Sequence, residues 1–167
     1  MSARIDVAAP GTANVATGLP VLDHLLTLLA RSGGFGLGLE LPPGDAVEEV
    51  ASAGRALGNA LAPHLRGDGA AGHGCGVMPA AEALAQVVLE VSERPLVASN
   101  VDLSSARAGG LATDLAAHFL RELAESAGLT LHVRLIDGED SQHVLESIFK
   151  ALGVALANAC RVPAPAT

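Results

Sequence analysis

The chain predicts an α+β fold: a tandem duplication of one ββαβα unit, giving two sheets with helices packed between or against them. Three observations predict it. An internal repeat relates the two halves. Each half shows short strand-like apolar runs followed by helical periodicity. Finally, 50% of the 167 residues are hydrophobic and only 17% are charged, enough apolar side chain for a substantial core without disulfides or a structural metal. His24 to Leu41 laid over His118 to Leu135 gives eight identities in 18 positions without a gap. A second match, one residue out of register, sets Ala56-Leu57-Gly58 over Ala151-Leu152-Gly153 and Arg55 over Lys150. Two matches in the same order mark a duplicated unit, and the extra residue falls in a loop, where length changes are cheap. The core needs both halves, so 1–167 is expected to be a single duplicated domain with halves at 1–68 and 72–161.

The elements follow in order. Arg4 to Ala8 and Thr12 to Ala16 flank the turn dipeptide Pro10-Gly11 and read as strands. Leu22, Leu25, Leu26 and Leu29 recur at helical spacing, and Gly33-Gly34 closes that helix. A strand from Phe35 to Leu41 and a helix from about Ala46 to His64 complete the first unit. Gly67 to Gly76, rich in Gly and Ala, reads as the junction. The second unit opens with apolar runs at Leu84 to Ser92 and Leu96 to Leu103, split by the turn-like Ser92-Glu93-Arg94-Pro95. Leu115, Phe119, Leu120 and Leu123 mark a helix closed by Gly128; a strand spans Leu129 to Leu135, and a last helix runs from about Ser141 to Arg161.

Composition excludes several function classes. Ten basic residues face 18 acidic ones, a net charge of −8, and Lys150 is the only lysine, so no basic stripe exists for nucleic acid. Three Phe and no Tyr or Trp leave no base-stacking platform and no aromatic belt at a membrane. Cys75 and Cys160 form no metal-type pair and read as small thiols in a reducing compartment. The N-terminus shows no signal-peptide pattern, and no run of about 18 apolar residues is present, so a cytoplasmic location is expected.

The chemistry-bearing candidates are His24, His118, His143 and Glu146. His143 and Glu146 are three residues apart, hence on one helical face, and offer an imidazole nitrogen and a carboxylate oxygen suited to zinc, manganese or iron. Such a pair is ordinary on an exposed helix. Position distinguishes it here: His24 and His118 occupy equivalent places in the two repeats, and a duplicated core rarely keeps a histidine twice for packing alone. His132 alternates with Leu131 and Val133 and reads as exposed, while His64 and His73 flank the junction without a pattern.

Four segments together resemble the imidazoleglycerol-phosphate dehydratase family of histidine biosynthesis. They are Thr17-Gly18 with Leu22-Asp23-His24, like its TG-x-x-x-LDH; Glu82 to Ala85 through Ser92-Glu93-Arg94-Pro95, like its EALA and GRP hairpin; Asp114-x-x-x-His118-Phe119; and Gln142-His143-x-x-Glu146 through Lys150-Ala151, like its HH-x-x-E-x-x-FKA helix. The resemblance implies a duplicated ribosomal-S5-domain-2-like unit, a large homo-oligomer, and active sites at subunit interfaces. It implies manganese (Mn2+) held by His24, His118, His143 and Glu146, with Glu48 a further candidate, and a phosphorylated imidazole polyol held by Arg94 and Lys150. The implied reaction is a dehydration giving imidazole-acetol phosphate, in which metal on the imidazole ring stabilises an anionic ring that expels hydroxide.

The departures fall on the same positions. One histidine of the second HH-x-x-E motif is Gln142. In the first half, the repeat register sets Val47, Glu48 and Ala51 opposite Gln142, His143 and Glu146; direct matching instead keeps Glu48 as the carboxylate and sets Gly44-Asp45 where the histidines belong. The arginine pair is Gly72-His73, the hairpin aspartate is Ala81, and the tail reads Val162 to Thr167 where the family has STKG. The segment that carries the family's catalytic glutamate is expected to precede the chain. Two readings follow: a dehydratase with a reduced or single metal site, or a catalytically inactive paralogue that keeps the fold and oligomer as a phosphorylated-ligand-binding or structural protein.

Overall fold

Strand pairing repeats the duplication seen in the sequence. The computed structural model describes residues 2–6, 13–102, 107–108 and 111–161. The expected Pro10-Gly11 turn, Leu103 at the end of its strand and the Val162–Thr167 tail lie outside them. In the first unit β1 (Ser2–Asp6) and β2 (Ala13–Ala16) flank β3 (Gly36–Glu40), antiparallel and parallel respectively, in the order β1-β3-β2. In the second unit β5 (Ala83–Val91) and β6 (Leu96–Ser99) flank β9 (Leu129–Asp137) with the same two senses, so β5-β9-β6 copies β1-β3-β2. Between the second and third strands of each unit stands a helix, α1 (Pro20–Gly33) or α3 (Thr113–Ala127); after the third comes another, α2 (Ala46–Leu65) or α4 (Ser141–Cys160).

Two features were absent from the sequence reading. The second sheet gains an edge strand, β4 (His73–Ala80), paired antiparallel with β5, where the sequence reads as junction up to Gly76. Its inward positions are Gly74 and Gly76, both buried, so the strand alternates without showing apolar residues on its core face. Each lies so close to the α4 backbone, near the Ala155 and Ala151 carbonyls, that a Cβ would overlap it. The second is a short antiparallel ladder, β7 (Arg107–Ala108) with β8 (Leu111–Ala112), leading into α3.

The helices place their apolar faces between the sheets and against each other. α1 packs on α4 and α3 on α2, and the crossings use equivalent glycines. A Cβ on Gly153 would overlap the Leu29 carbonyl, and one on Gly58 would crowd the Leu123 carbonyl; Leu29 and Leu123 are equivalent in the repeat. Small residues let the backbones approach, and one hydrophobic cluster follows, drawing on every helix and on Leu37, Leu39, Leu131 and Val133 of the central strands. Phe119 and Phe149 meet at its centre, with ring centroids 5.5 Å apart. Gly34 and Gly128 close α1 and α3 with left-handed backbone, φ +70° and +72°. The Arg66 guanidinium donates to the Ala127 carbonyl at 2.6 Å and the Gly128 carbonyl at 3.0 Å, satisfying the end of α3. Among the described residues no helix is long and apolar enough to cross a membrane.

Candidate active site

Local chemistry fixes where α1 begins, and with it the position of His24. Pro20 stands in the first turn, where its missing N–H costs nothing, and Leu19 supplies no side-chain cap. Asp23 compensates by reaching back: its Oδ1 accepts from the Thr17 backbone N–H at 2.9 Å and from the Thr17 hydroxyl at 2.5 Å, with Thr17 fully buried. Gly18 adopts φ +88°, and a Cβ there would overlap the buried Glu49 carboxylate. Glu49 in turn accepts from the Gly44 N–H at 3.1 Å. The Thr17-Gly18 and Leu22-Asp23 segment therefore ties β2, α1 and the start of α2 together, and it presents the next residue, His24, at the surface.

α4 begins with a firm cap. The Asp140 carboxylate accepts from the N–H groups of Gln142 and His143, at 2.9 and 3.1 Å. α2 begins the same way, with Asp45 accepting from the Glu48 N–H at 2.9 Å. Asp45 and Asp140 are separated by the same offset as Ala56 and Ala151, so the caps set Val47, Glu48 and Ala51 opposite Gln142, His143 and Glu146.

Four of the predicted residues divide between the two helix pairs. On the α1–α4 pair, His24 Nε2 stands 3.8 Å from Glu146 Oε2. His143, one turn earlier on α4, directs Nδ1 to Glu82 at the β4–β5 hairpin, 2.8 Å from Oε1 and 3.3 Å from Oε2, with Asp140 Oδ1 at 3.8 Å. The hydrogen bond to Glu82, with smaller contributions from nearby carboxylates, raises the His143 pKa above its ordinary value of 6.5 despite opposing desolvation. A shallow cavity of about 180 Å³ opens beside His24, lined by Pro20, Val21, Leu25, Gln142 and Leu145. On the α2–α3 pair, His118 Nε2 lies 4.0 Å from Glu122 Oε1, and Arg55 Nη1 lies 3.3 Å from Glu122 Oε2. Glu48 is exposed in the first turn of α2 and makes no hydrogen bond or ion pair with His118. Among the described residues no three or more His, Cys, Asp or Glu side chains converge closely enough to hold a metal.

The arrangement matches a known family. Residues 17–156 fit the family model described as imidazoleglycerol-phosphate dehydratase. The chain is 40% identical to an imidazoleglycerol-phosphate dehydratase of Syntrophobacter fumaroxidans, over 95% of its own length and 83% of the relative's. It is 38% identical to that of Desulforudis audaxviator, over 96% and 85%. The chain belongs to the imidazoleglycerol-phosphate dehydratase family. Solved structures agree: the dehydratase of Staphylococcus aureus superposes with a TM-score of 0.86 at 31% identity, covering 95% of this chain and 92% of that one. That of Pyrococcus furiosus, solved in complex with (S)-C348, gives 0.81 at 28% identity over 93% and 85%.

Within this dehydratase fold the two basic candidates stand apart. Lys150 Nζ donates to the Pro79 carbonyl at 2.8 Å, and Pro79 pairs with Leu84 at the start of β5. Arg94 lies past the other end of that strand, its backbone held by Ser92 and Thr130, its guanidinium free of hydrogen bonds and ion pairs among the described residues. From Leu84 to Val91 the strand alone covers ~23 Å at ~3.3 Å per residue. His132 is exposed on β9 among Cys75, Val88 and Thr130, away from both histidine pairs. Sequence reasoning assigned no role to Glu82, Glu122 or Arg55. Glu82 sits inside the EALA match, His118 and Glu122 have i,i+4 spacing, and Arg55 stands opposite Lys150 in the repeat. Those were the available signals.

Proposed function

We propose that this dehydratase-family chain is a metal-dependent hydro-lyase of the cytoplasm that removes water from imidazoleglycerol phosphate, with its site completed between subunits of a homo-oligomer. The observation that carries the reading is the His24–Glu146 pair on α1 and α4, with His143 on the same helix, in a chain whose relatives bear the dehydratase name over nearly its whole length.

The donor set suits a divalent metal. Two ligands each ~2.1 Å from one ion stand ~3.0–3.4 Å apart at octahedral or tetrahedral angles, so the pair at 3.8 Å needs only a small closure. Nδ1 of His143 is bonded to Glu82, which leaves Nε2 as the ligating nitrogen and fixes the ring, the carboxylate–histidine arrangement that orients metal ligands. His24 and Glu146 are the pair that would hold the ion, and His143 offers Nε2 one turn away on α4. When bound, a divalent cation such as manganese supplies Lewis-acid stabilisation of negative charge on the imidazole ring. The chain's own part is to fix ligand orientation through Glu82, to position His24 through the Thr17–Asp23 tie, and to offer the apolar cavity beside His24 to the substrate ring.

Two features favour completion by another subunit. Among the described residues one chain brings only two donors together at α1–α4, and a metal takes four or more. Arg94 and Lys150, the basic candidates for the phosphate, stand a strand's length apart in one chain, so they would meet a single phosphate only from different subunits. The test is complementation of a histidine auxotroph lacking its dehydratase. Growth without histidine is expected from the parent chain and not from Glu146→Ala; failure of the soluble parent to restore growth counts against the proposal.

A further inference from the structure

The two sheets repeat one strand order, but their outer faces differ. Among the described residues the first sheet exposes no large apolar side chain. On the second, strand alternation turns Val77 of β4, Val88 and Glu90 of β5, and His132 and Arg134 of β9 away from the helices. Leu96 of β6 joins them, because it pairs with Thr130, which pairs with Glu90. Val77, Val88 and Leu96 are all well exposed there. Glu90 and Arg134 are exposed as well, and neither side chain makes an ion pair or hydrogen bond among the described residues.

The placement of these two charges is self-complementary. Arg134 stands four residues along and one strand across from Glu90, ~14 Å away at ~3.3 Å per residue and ~4.8 Å between strands, too far to meet it within one chain. Val88 and His132, which pair with each other, lie at the midpoint. A twofold axis in the plane of contact, passing between them and running roughly across the strands, exchanges the positions of Glu90 and Arg134. It sets Glu90 of each copy against Arg134 of the other, and Val88 against its own counterpart. A concavity of about 370 Å³ lies beside Glu90, walled by His73, Cys75, Thr130 and His132. The same operation brings Arg134 of the second copy over it, so the long side chain meets a socket with a carboxylate at its rim.

Resting on the homo-oligomer reading above, we propose that the outer face of the second sheet is a self-association surface, docked face to face with a second copy of this chain through reciprocal Glu90–Arg134 pairs on either side of Val88. Four strands at ~4.8 Å and about eight residues at ~3.3 Å present ~500 Å² per copy, or ~1,000 Å² in a pair, at the threshold of specific interfaces. A contact of that size joins units within a larger assembly and holds an isolated dimer only weakly.

The test is sedimentation velocity over a range of concentrations on the full chain, on Glu90→Arg, on Arg134→Glu and on the double exchange. Each single exchange sets like charges against each other twice in the pair. The concentration for half-association is expected to rise at least about tenfold, or the assembly to fall to a smaller unit. The double exchange is expected to recover the parent's behaviour to within about threefold, and such recovery reports a contact between copies. Circular dichroism checks the fold; where a charge exchange disturbs it, Val88→Asp at the centre of the face takes its place with the same expected loss. Single exchanges that assemble like the parent, or a folded double exchange that fails to recover, overturn this inference and leave the homo-oligomer reading standing. A parent that stays monomeric at every concentration overturns both.

Discussion

Glu82 is the most informative residue to change, because it touches the site only through His143. Its carboxylate holds Nδ1 at 2.8 Å, so Glu82→Gln keeps the size of the side chain and removes the charge. Two consequences oppose each other. The hydrogen bond to Glu82 is the main cause of the raised His143 pKa, so the variant titrates lower and its imidazole is neutral, and able to ligate, over more of the acid range. The ring also loses the anchor that aims Nε2 and raises its basicity, a change that costs ~10–100-fold in metal affinity at established sites. Both partners are well exposed, 40% for His143 and 47% for Glu82, so screening sets the expected loss near the lower end, about tenfold. Calorimetric manganese titration at a pH above the His143 midpoint found for each protein by NMR isolates the anchoring effect. NMR titration of the metal-free protein should place the His143 midpoint above 6.5 in the parent and lower in Glu82→Gln. Unchanged affinity at that pH, or an unchanged midpoint, refutes the assignment of Glu82 as the positioning residue for His143.

Two further outcomes test the scaffold. Asp23→Ala removes both hydrogen bonds to buried Thr17; an unsatisfied buried group costs ~1–3 kcal/mol, so the melting temperature should fall by about 3–10 °C, read by calorimetry. Gly153→Ala drives a methyl into the Leu29 carbonyl at the α1–α4 crossing and should cost ~1–3 kcal/mol or more, whereas Gly38→Ala meets open space on β3 and should stay within about 0.5 kcal/mol, both read by urea unfolding.

The fold was legible because the duplication kept its helical leucines and closing glycines in register. Leu26, Leu29, Gly34 and Leu37 over Leu120, Leu123, Gly128 and Leu131 define one unit twice, and the strand orders copy each other accordingly. β4 was not legible. Its buried positions are glycines, which carry no apolar signal and are read from sequence as loop, yet their lack of a side chain is what lets α4 lie against the strand. The candidates at the site were legible by type, and the repeat marked His24 and His118 as a pair. Which helix faces which was not. Glu146 meets His24 across a helix crossing, and Glu82 meets His143 from a hairpin 61 positions away, contacts that no local spacing encodes. The substitution of Glu146 by Ala51 was visible as a mismatch in the repeat, but the Arg55–Glu122 pair that accompanies it emerged only with the α2–α3 crossing.

The central claim is that the α1–α4 pair supports dehydration. Its most direct test is turnover of imidazoleglycerol phosphate by the metal-stripped protein before and after addition of manganese, with formation of imidazole-acetol phosphate followed over time. Turnover that needs manganese in the parent and is lost in Glu146→Ala is the predicted result. A correctly folded and assembled parent that stays silent with manganese, or a Glu146→Ala variant as active as the parent, would contradict it.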